Sequence, residues 1–460
     1  MNNETVALRL ADSVCHAATH MECDDSVLHA AERVLLDSLA CGLGATLAAP
    51  VVAARTWAGL INGSPHAHIL GTGENSSVLG AALANSTMIR HLDMNDCDWS
   101  RDPAHPSDNI GGCLAVAEIT GASTRDLLLG ILIAYEVQMR TTEFTKISFF
   151  KHTGWDHTTF VTLASAAAAG VLLKLDKTRM AHAISIAASY PTVGQLRVGQ
   201  ISMMKAMSGG LAVSRGIEAA HLASYGVTGP LEIFEGKRGM SKLILGDCDW
   251  DLLTAPVDTW RMPRTCLKQY PAAYIIHSAI DAALALKKDY ALQADEIVSV
   301  MVEGFGWLIE DMVHGMGGKS RYDIDTRETA DHSLPYCVAV SLVDGEYSLA
   351  QLEVPRWRSD DVKSMLKKVK CVHDATLDSG FPSRRPVRIT IRRTDGKTFS
   401  KEVSFPKGDP RNPLSDEDIA SKFRRLSSAV LSEKKQERAI NIAWNLRDHT
   451  VSELMNACNP

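Results

Sequence analysis

Between Met88 and Gly112 the chain reads MIRHLDMNDCDWSRDPAHPSDNIGG, its densest polar stretch. It sets Asp93, Asp96, Asp98, Asp102 and Asp108 beside His91 and His105, with apolar helical patterns on either side. A carboxylate next to an imidazole can orient the ring for proton transfer. The same groups can hold a divalent cation. A solvated loop whose acids cap helices would have a similar composition. There is no H-E-x-x-H, no Cys/His cluster and no calcium-loop spacing, so no metal site is expected.

Three other pieces gain weight as a set. His152-Thr-Gly-Trp-Asp156-His157 precedes an Ala-rich apolar run, which puts an imidazole at the start of a buried helix. Arg197 and Lys205 bracket the uncharged segment VGQISMM, and Lys268 precedes Tyr270-Pro271. Basic side chains in apolar surroundings can bind substrate carboxylates, although any one of them more often snorkels to water. The run Arg384, Arg385, Arg388, Arg392, Arg393 has the density of a nucleic-acid patch, but its alternation marks the solvent face of a hairpin. No G-x-G-x-x-G follows a strand, and neither a Walker loop nor G-x-S-x-G is present. Dinucleotide, ATP and serine-hydrolase chemistry therefore lack their signatures. The residues alone describe a helical protein with an acid/base site and cationic helpers.

The elements that must position these residues fall into two kinds. Val27, Ala30, Val34, Leu35 and Leu39 recur at helical spacing behind Asp25 or Ser26, and Gly42 and Gly44 stop the helix. Asp126–Met139 and Leu175–Tyr190 read the same way. Several such segments are apolar nearly all round and rich in Ala, as in the middle of a bundle. After about residue 265 the character changes. Glu296–Glu303 is strand-like. Pro386–Phe405 reads as a hairpin with Val387, Ile389 and Ile391 on one face and Asp395-Gly396 at the turn. After PKGDPRNP, Ser415-Asp-Glu-Asp418 opens a helical tail with a capping box. The expected fold is mainly α: an all-helical domain over 1–265, an α+β domain over 266–405, and C-terminal helices over 406–460 that return to the first.

The chain of 460 residues is 45% hydrophobic and 22% charged, which excludes a disordered or disulfide-framed protein. Lys plus Arg number 48 against 54 Asp plus Glu, so no basic surplus points to nucleic acid. Glu4, Arg9 and Asp12 interrupt the start where a signal peptide needs an apolar core. The uncharged run Thr158–Leu173 falls short of the about 20 apolar residues of a membrane span. The ten cysteines form no C-x-x-C pair, which suits reduced thiols in the cytoplasm or an organelle matrix.

MIRHLDMNDCDW, AHPSDNIGG and TADHSLPY together resemble the 2-methylcitrate dehydratase family, the MmgE/PrpD superfamily that also includes cis-aconitate decarboxylase and iminodisuccinate epimerase. The likeness extends to LLDSLACGLGA, Gly-Trp-Asp-His157, the Lys205 region and Lys268-Gln-Tyr-Pro. It implies a discontinuous all-helical domain, a smaller α+β lid-like domain, a homodimer, and chemistry with no cofactor and no iron–sulfur cluster. Cluster-type cysteine spacing is indeed missing. Position by position, the family's site falls on Asp93, His105, His157, Lys205, Lys268 and Tyr336. Ser107-Asp108-Asn109 and Trp155-Asp156-His157 favour the dehydratase branch. Cys97 replaces a common Thr, and Thr329–Ser333 lacks the Arg of the bacterial methylcitrate enzymes.

The resemblance thus implies a hydro-lyase removing water from a small polycarboxylate such as 2-methylcitrate. His105 and His157 form the acid/base pair, Asp93 orients or charge-stabilises a ring, and Tyr336 donates to the leaving oxygen or a carboxylate. Lys205, Lys268, Arg197 and Ser107 are the substrate-binding candidates. Lys268 is expected to be exposed in a cleft at the domain junction. An epimerase or decarboxylase would use the same groups. A degenerate helical dimer that only binds polycarboxylates is the non-enzymatic alternative. No nucleic acid and no membrane is expected as a partner.

Overall fold

Glycines set how closely the helices approach. The computed structural model describes residues 4–198 and 201–460. Residues 1–3, in the N-terminal stretch read above, and 199–200, between Arg197 and Lys205, lie outside the described residues. Val78–His91 packs on Ile110–Thr120, and a Cβ on Gly111 would stand 2.5 Å from the Ser86 amide nitrogen. A Cβ on Gly216 of Met204–Ser224 would come as close to the Thr162 carbonyl of Thr158–Leu172, whose residues are almost all buried. Such all-round apolar helices belong inside a bundle.

The chain is mainly helical and divides into two compact units. The first takes the chain up to Gly194, then Ala206–Thr265 and Ser415–Pro460. Asp24, one residue earlier than expected, caps Asp25–Gly44 by accepting from the Val27 amide. The expected Asp126–Met139 is Thr124–Arg140, opened by a Ser123/Asp126 capping box. Lys177–Ala187 occupies the middle of Leu175–Tyr190. Ser415 and Asp418 form the expected box ahead of Asp416–Ser427, which packs on Asp25–Gly44.

The second unit comprises Gln195–Lys205 and Cys266–Leu414. Its four-stranded sheet runs Val369–His373, Ile297–Gly304, Val387–Arg393, Thr398–Val403; the first pair is parallel and the others antiparallel. Val387, Ile389 and Ile391 are fully buried, and the hairpin packs on His277–Asp289. Gly396 turns the hairpin at φ +83°.

Two stretches group differently from the sequence reading. Lys205 bonds to Asp331, and the Arg197 carbonyl accepts from Arg321 at 3.5 Å, so Gln195–Lys205 clusters with the second unit. Residues 406–414 do the same, through Leu267 N to Gly408 O at 3.0 Å and Lys407 N to Asp281 at 2.7 Å. The arginine run also needs correction. Arg388 pairs with Glu402 on the hairpin, but Arg385 is buried, with its guanidinium over the Tyr274 ring at 4.7 Å. It precedes the strand, so alternation does not govern it. None of the ten cysteines is in a disulfide. Among the described residues no single helix is long and apolar enough to cross a membrane.

Candidate active site

Val78–His91 ends in a loop that reverses at Asp93, held at φ +54°. Arg90, itself buried, donates to Asp93 at 2.8 Å and stands 3.9 Å from Asp108. From there the chain runs into a two-residue strand, Asp98–Trp99, paired with Pro103–Ala104. That pairing returns the chain so that His105 and Ser107 face Asp96. The Asp96 carboxylate accepts from the Ser107 hydroxyl at 2.6 Å and its amide at 3.2 Å, and Asn95 donates to the same hydroxyl at 2.9 Å. Ser107, expected to bind substrate, here braces the loop.

The Asp96 carbonyl fixes His105. It lies 2.7 Å from Nδ1, and a carbonyl can only accept, so Nδ1 carries the proton. In the neutral ring Nε2 is then the basic atom. His157 stands at the start of Thr158–Leu172, where the Asp156 carboxylate takes the Thr158 amide at 3.0 Å and hydroxyl at 2.7 Å. The same carboxylate oxygen is 3.3 Å from His157 Nδ1. The two imidazoles meet edge to face, with centroids 5.2 Å apart, and both are buried. Two motifs far apart in sequence therefore form one group.

Burial pushes Asp96 up to about 6 against the opposing bonds from Ser107 and Tyr135. Asp102 is also raised to about 6 by burial, although Ser148 and the amides of Phe150 and Phe149 bond to it.

A second polar cluster lies within the second unit. Lys205 Nζ reaches both Asp331 oxygens at 3.0 and 3.2 Å and His332 Nδ1 at 3.2 Å; Asp331 is also 2.5 Å from that nitrogen. Arg327 adds a bond to Asp331 at 3.4 Å. Burial works against the Asp331 carboxylate, but Lys205, His332 and Arg327 outweigh it and hold it below its ordinary range. Arg197 is buried in the same unit, where burial raises Asp311 to about 6 against the opposing charges of Arg321 and Arg197.

Tyr336 and Lys268 are placed otherwise than expected. Tyr336 is fully buried in the first turn of Leu334–Asp344, and its hydroxyl donates to the Gln351 carbonyl. Burial raises it well above an ordinary phenol. Lys268, read as an exposed cleft lysine, has no exposed surface. It lies in a strap whose neighbours are tied down by the Gly408 carbonyl and by Tyr270 bonding to Asp281 at 2.7 Å.

Sequence reasoning passed over Asp331 and His332 as site residues, although both stand in the quoted motif TADHSLPY. Asp156 was visible only as part of Trp-Asp-His. A cavity of about 660 Å³, lined among others by Met21, Cys23, Leu28, Arg125 and Arg447, contains none of the expected site residues.

Comparison with known proteins adds an independent line. Residues 9–253 match the model of the MmgE/PrpD N-terminal domain, and residues 270–448 that of the MmgE/PrpD C-terminal domain. The chain is 27% identical to the cis-aconitate decarboxylase of Mus musculus over 92% of its length and 87% of that protein's. It is 25% identical to the 2-methylcitrate dehydratase of Salmonella typhi over 90% of its length and 88% of that protein's. The mitochondrial 2-methylcitrate dehydratase of Yarrowia lipolytica is 26% identical, over 84% of this chain and 77% of that one. With both domain models matched across most of its length, the chain belongs to the MmgE/PrpD family.

Proposed function

We propose that the protein is a lyase that removes water from a small hydroxy-polycarboxylate of the 2-methylcitrate type by histidine acid/base catalysis. One observation carries this reading: two buried imidazoles, 5.2 Å apart between centroids, one bonded through Nδ1 to a neutral backbone carbonyl and the other with Nδ1 3.3 Å from a carboxylate. The neutral Asp96 carbonyl leaves His105 with a basic Nε2, suited to taking a proton from the carbon next to a carboxylate. His157, beside the Asp156 carboxylate, is the group that gives one to the departing hydroxyl. The C–H bond breaks, its electron pair becomes the new C=C bond, and the C–O bond breaks as the oxygen leaves as water. Negative charge on the carboxylate grows during the first step, which is where fixed cations help. Within the histidines' own unit Arg90 is a buried cation, held by Asp93 at 2.8 Å.

A decarboxylase acting on a cis-aconitate-like acid is the second reading, favoured by the similarity to the mouse enzyme. The two are separated by incubating the protein with 2-methylcitrate, citrate and cis-aconitate. Growth of a C=C absorbance supports the dehydratase, and release of CO2 from cis-aconitate supports the decarboxylase. His105→Gln and His157→Gln should each lower turnover by about a hundredfold or more, with little change in folding. Turnover undiminished in both variants would remove the histidines from the mechanism. Ligand-induced stabilisation without turnover of any of these acids would favour a binding protein.

A further inference from the structure

We propose that Lys422 is a positioning residue for His105, acting through the backbone from Met94 to Asp96; this rests on the acid/base reading of His105. Lys422 lies on Asp416–Ser427, far along the chain from the loop it touches. Its ammonium donates to Asp37 Oδ1 at 2.6 Å and to the Met94 carbonyl at 2.6 Å. Both side chains of the ion pair are buried, at 3% and 1% exposure. Burial works against the ammonium, but Asp37 outweighs it and raises Lys422 above its ordinary value.

An ion pair of this kind is a poor way to stabilise a core, because desolvation offsets its attraction and an apolar pair would serve as well. The second bond does what no apolar side chain can. Met94 lies in irregular backbone, where a buried carbonyl needs a donor from elsewhere. Met94 follows Asp93 with its left-handed φ and precedes, by two residues, Asp96, whose carbonyl accepts from His105 Nδ1. The Asp96 side chain in turn holds Ser107. Only one peptide unit, between Asn95 and Asp96, separates the pinned carbonyl from the one that orients the ring. A rotation of the first is therefore passed on to the second.

The test follows the His105 ring resonance by NMR in histidine-labelled protein, together with turnover of 2-methylcitrate and cis-aconitate. Lys422→Met removes the bond to Met94. Asp37→Asn removes the partner charge but leaves the lysine able to donate to that carbonyl. In the double variant D37L/K422M two apolar side chains replace the pair, which keeps the fold while the tether is lost. The expected result is a His105 titration midpoint displaced by about 0.5 unit or more in both Lys422→Met proteins, with kcat down about tenfold and KM within about threefold. Asp37→Asn should retain the parent midpoint and kcat. Parent-like His105 behaviour in the double variant overturns the proposal, as does an equal displacement in Asp37→Asn. A double variant that fails to fold also counts against it, since the pair is then a requirement of the core. Failure of the functional reading is distinguishable: the parent would turn over neither acid, while the ring resonance still reports on Lys422.

Discussion

Asp96 and Asp102 give the helical unit a pH signature of their own. Burial raises both to about 6, whereas an unfolded Asp titrates near 3.9. The folded state therefore binds more protons than the unfolded state between about pH 4 and 6, and stability falls as pH rises through that window. A shift of this size is worth on the order of 2–3 kcal/mol per group. Asp331, depressed by Lys205, His332 and Arg327, acts in the opposite sense: its contribution is present above the unfolded value and is lost at lower pH. Urea unfolding of Asp102→Asn at half-unit intervals should show a visibly shallower decline between pH 4 and 6 than the parent. An unchanged slope would mean that Asp102 is not raised. Lys268 yields the second residue-scale prediction. Because it is wholly buried, Lys268→Ala should lower stability by about 2–4 kcal/mol, through lost packing and unsatisfied neighbours. Parent-like thermal unfolding of that variant would restore the exposed-lysine reading.

At the scale of elements, the sequence showed the helices and the hairpin through periodicity, and the ends were less distinct. Ser415/Asp418 was readable as a box because the pattern is local, while the cap of Asp25–Gly44 slipped to Asp24 because three adjacent residues, Asp24, Asp25 and Ser26, all suit the role. Which glycines matter was not readable, since that depends on what lies opposite. Gly111→Ala would press a Cβ to 2.5 Å from the Ser86 amide nitrogen. It should cost about 2–3 kcal/mol as the helices Val78–His91 and Ile110–Thr120 are forced apart. Gly121, in the left-handed conformation at the end of Ile110–Thr120, has open space around its Cβ position. Gly121→Ala should cost only about 1 kcal/mol, from backbone strain alone. Equal losses in chemical denaturation would show that Gly111 has no special packing role.

At the scale of the whole molecule, the chain carries a net charge of −6, so general electrostatics do not draw a polyanion to it and any affinity must come from local cations. Thermal unfolding with 2-methylcitrate or citrate should show a melting temperature that climbs with concentration. Above the dissociation constant the gain should be about 1.4 kcal/mol for each tenfold increase in ligand. A flat response to all polycarboxylates tested would remove the substrate class. By itself, the sequence determined the helical character, the change near residue 265, the hairpin with its buried face, and the combination of motifs that resembles the MmgE/PrpD family. These are written in neighbouring residues, where periodicity, turn chemistry and local spacing act directly. Only the tertiary structure decided that His105 and His157 share one group, that Asp331 and His332 enclose Lys205, that Ser107 and Tyr336 are engaged in internal bonds, and that Lys268 and Arg385 are buried. It alone brought Lys422 to Met94, across 328 positions of sequence. The reason is physical: a side chain's burial and partners depend on what the fold carries opposite it, and a buried charge or carbonyl takes its partner from whichever segment packs there.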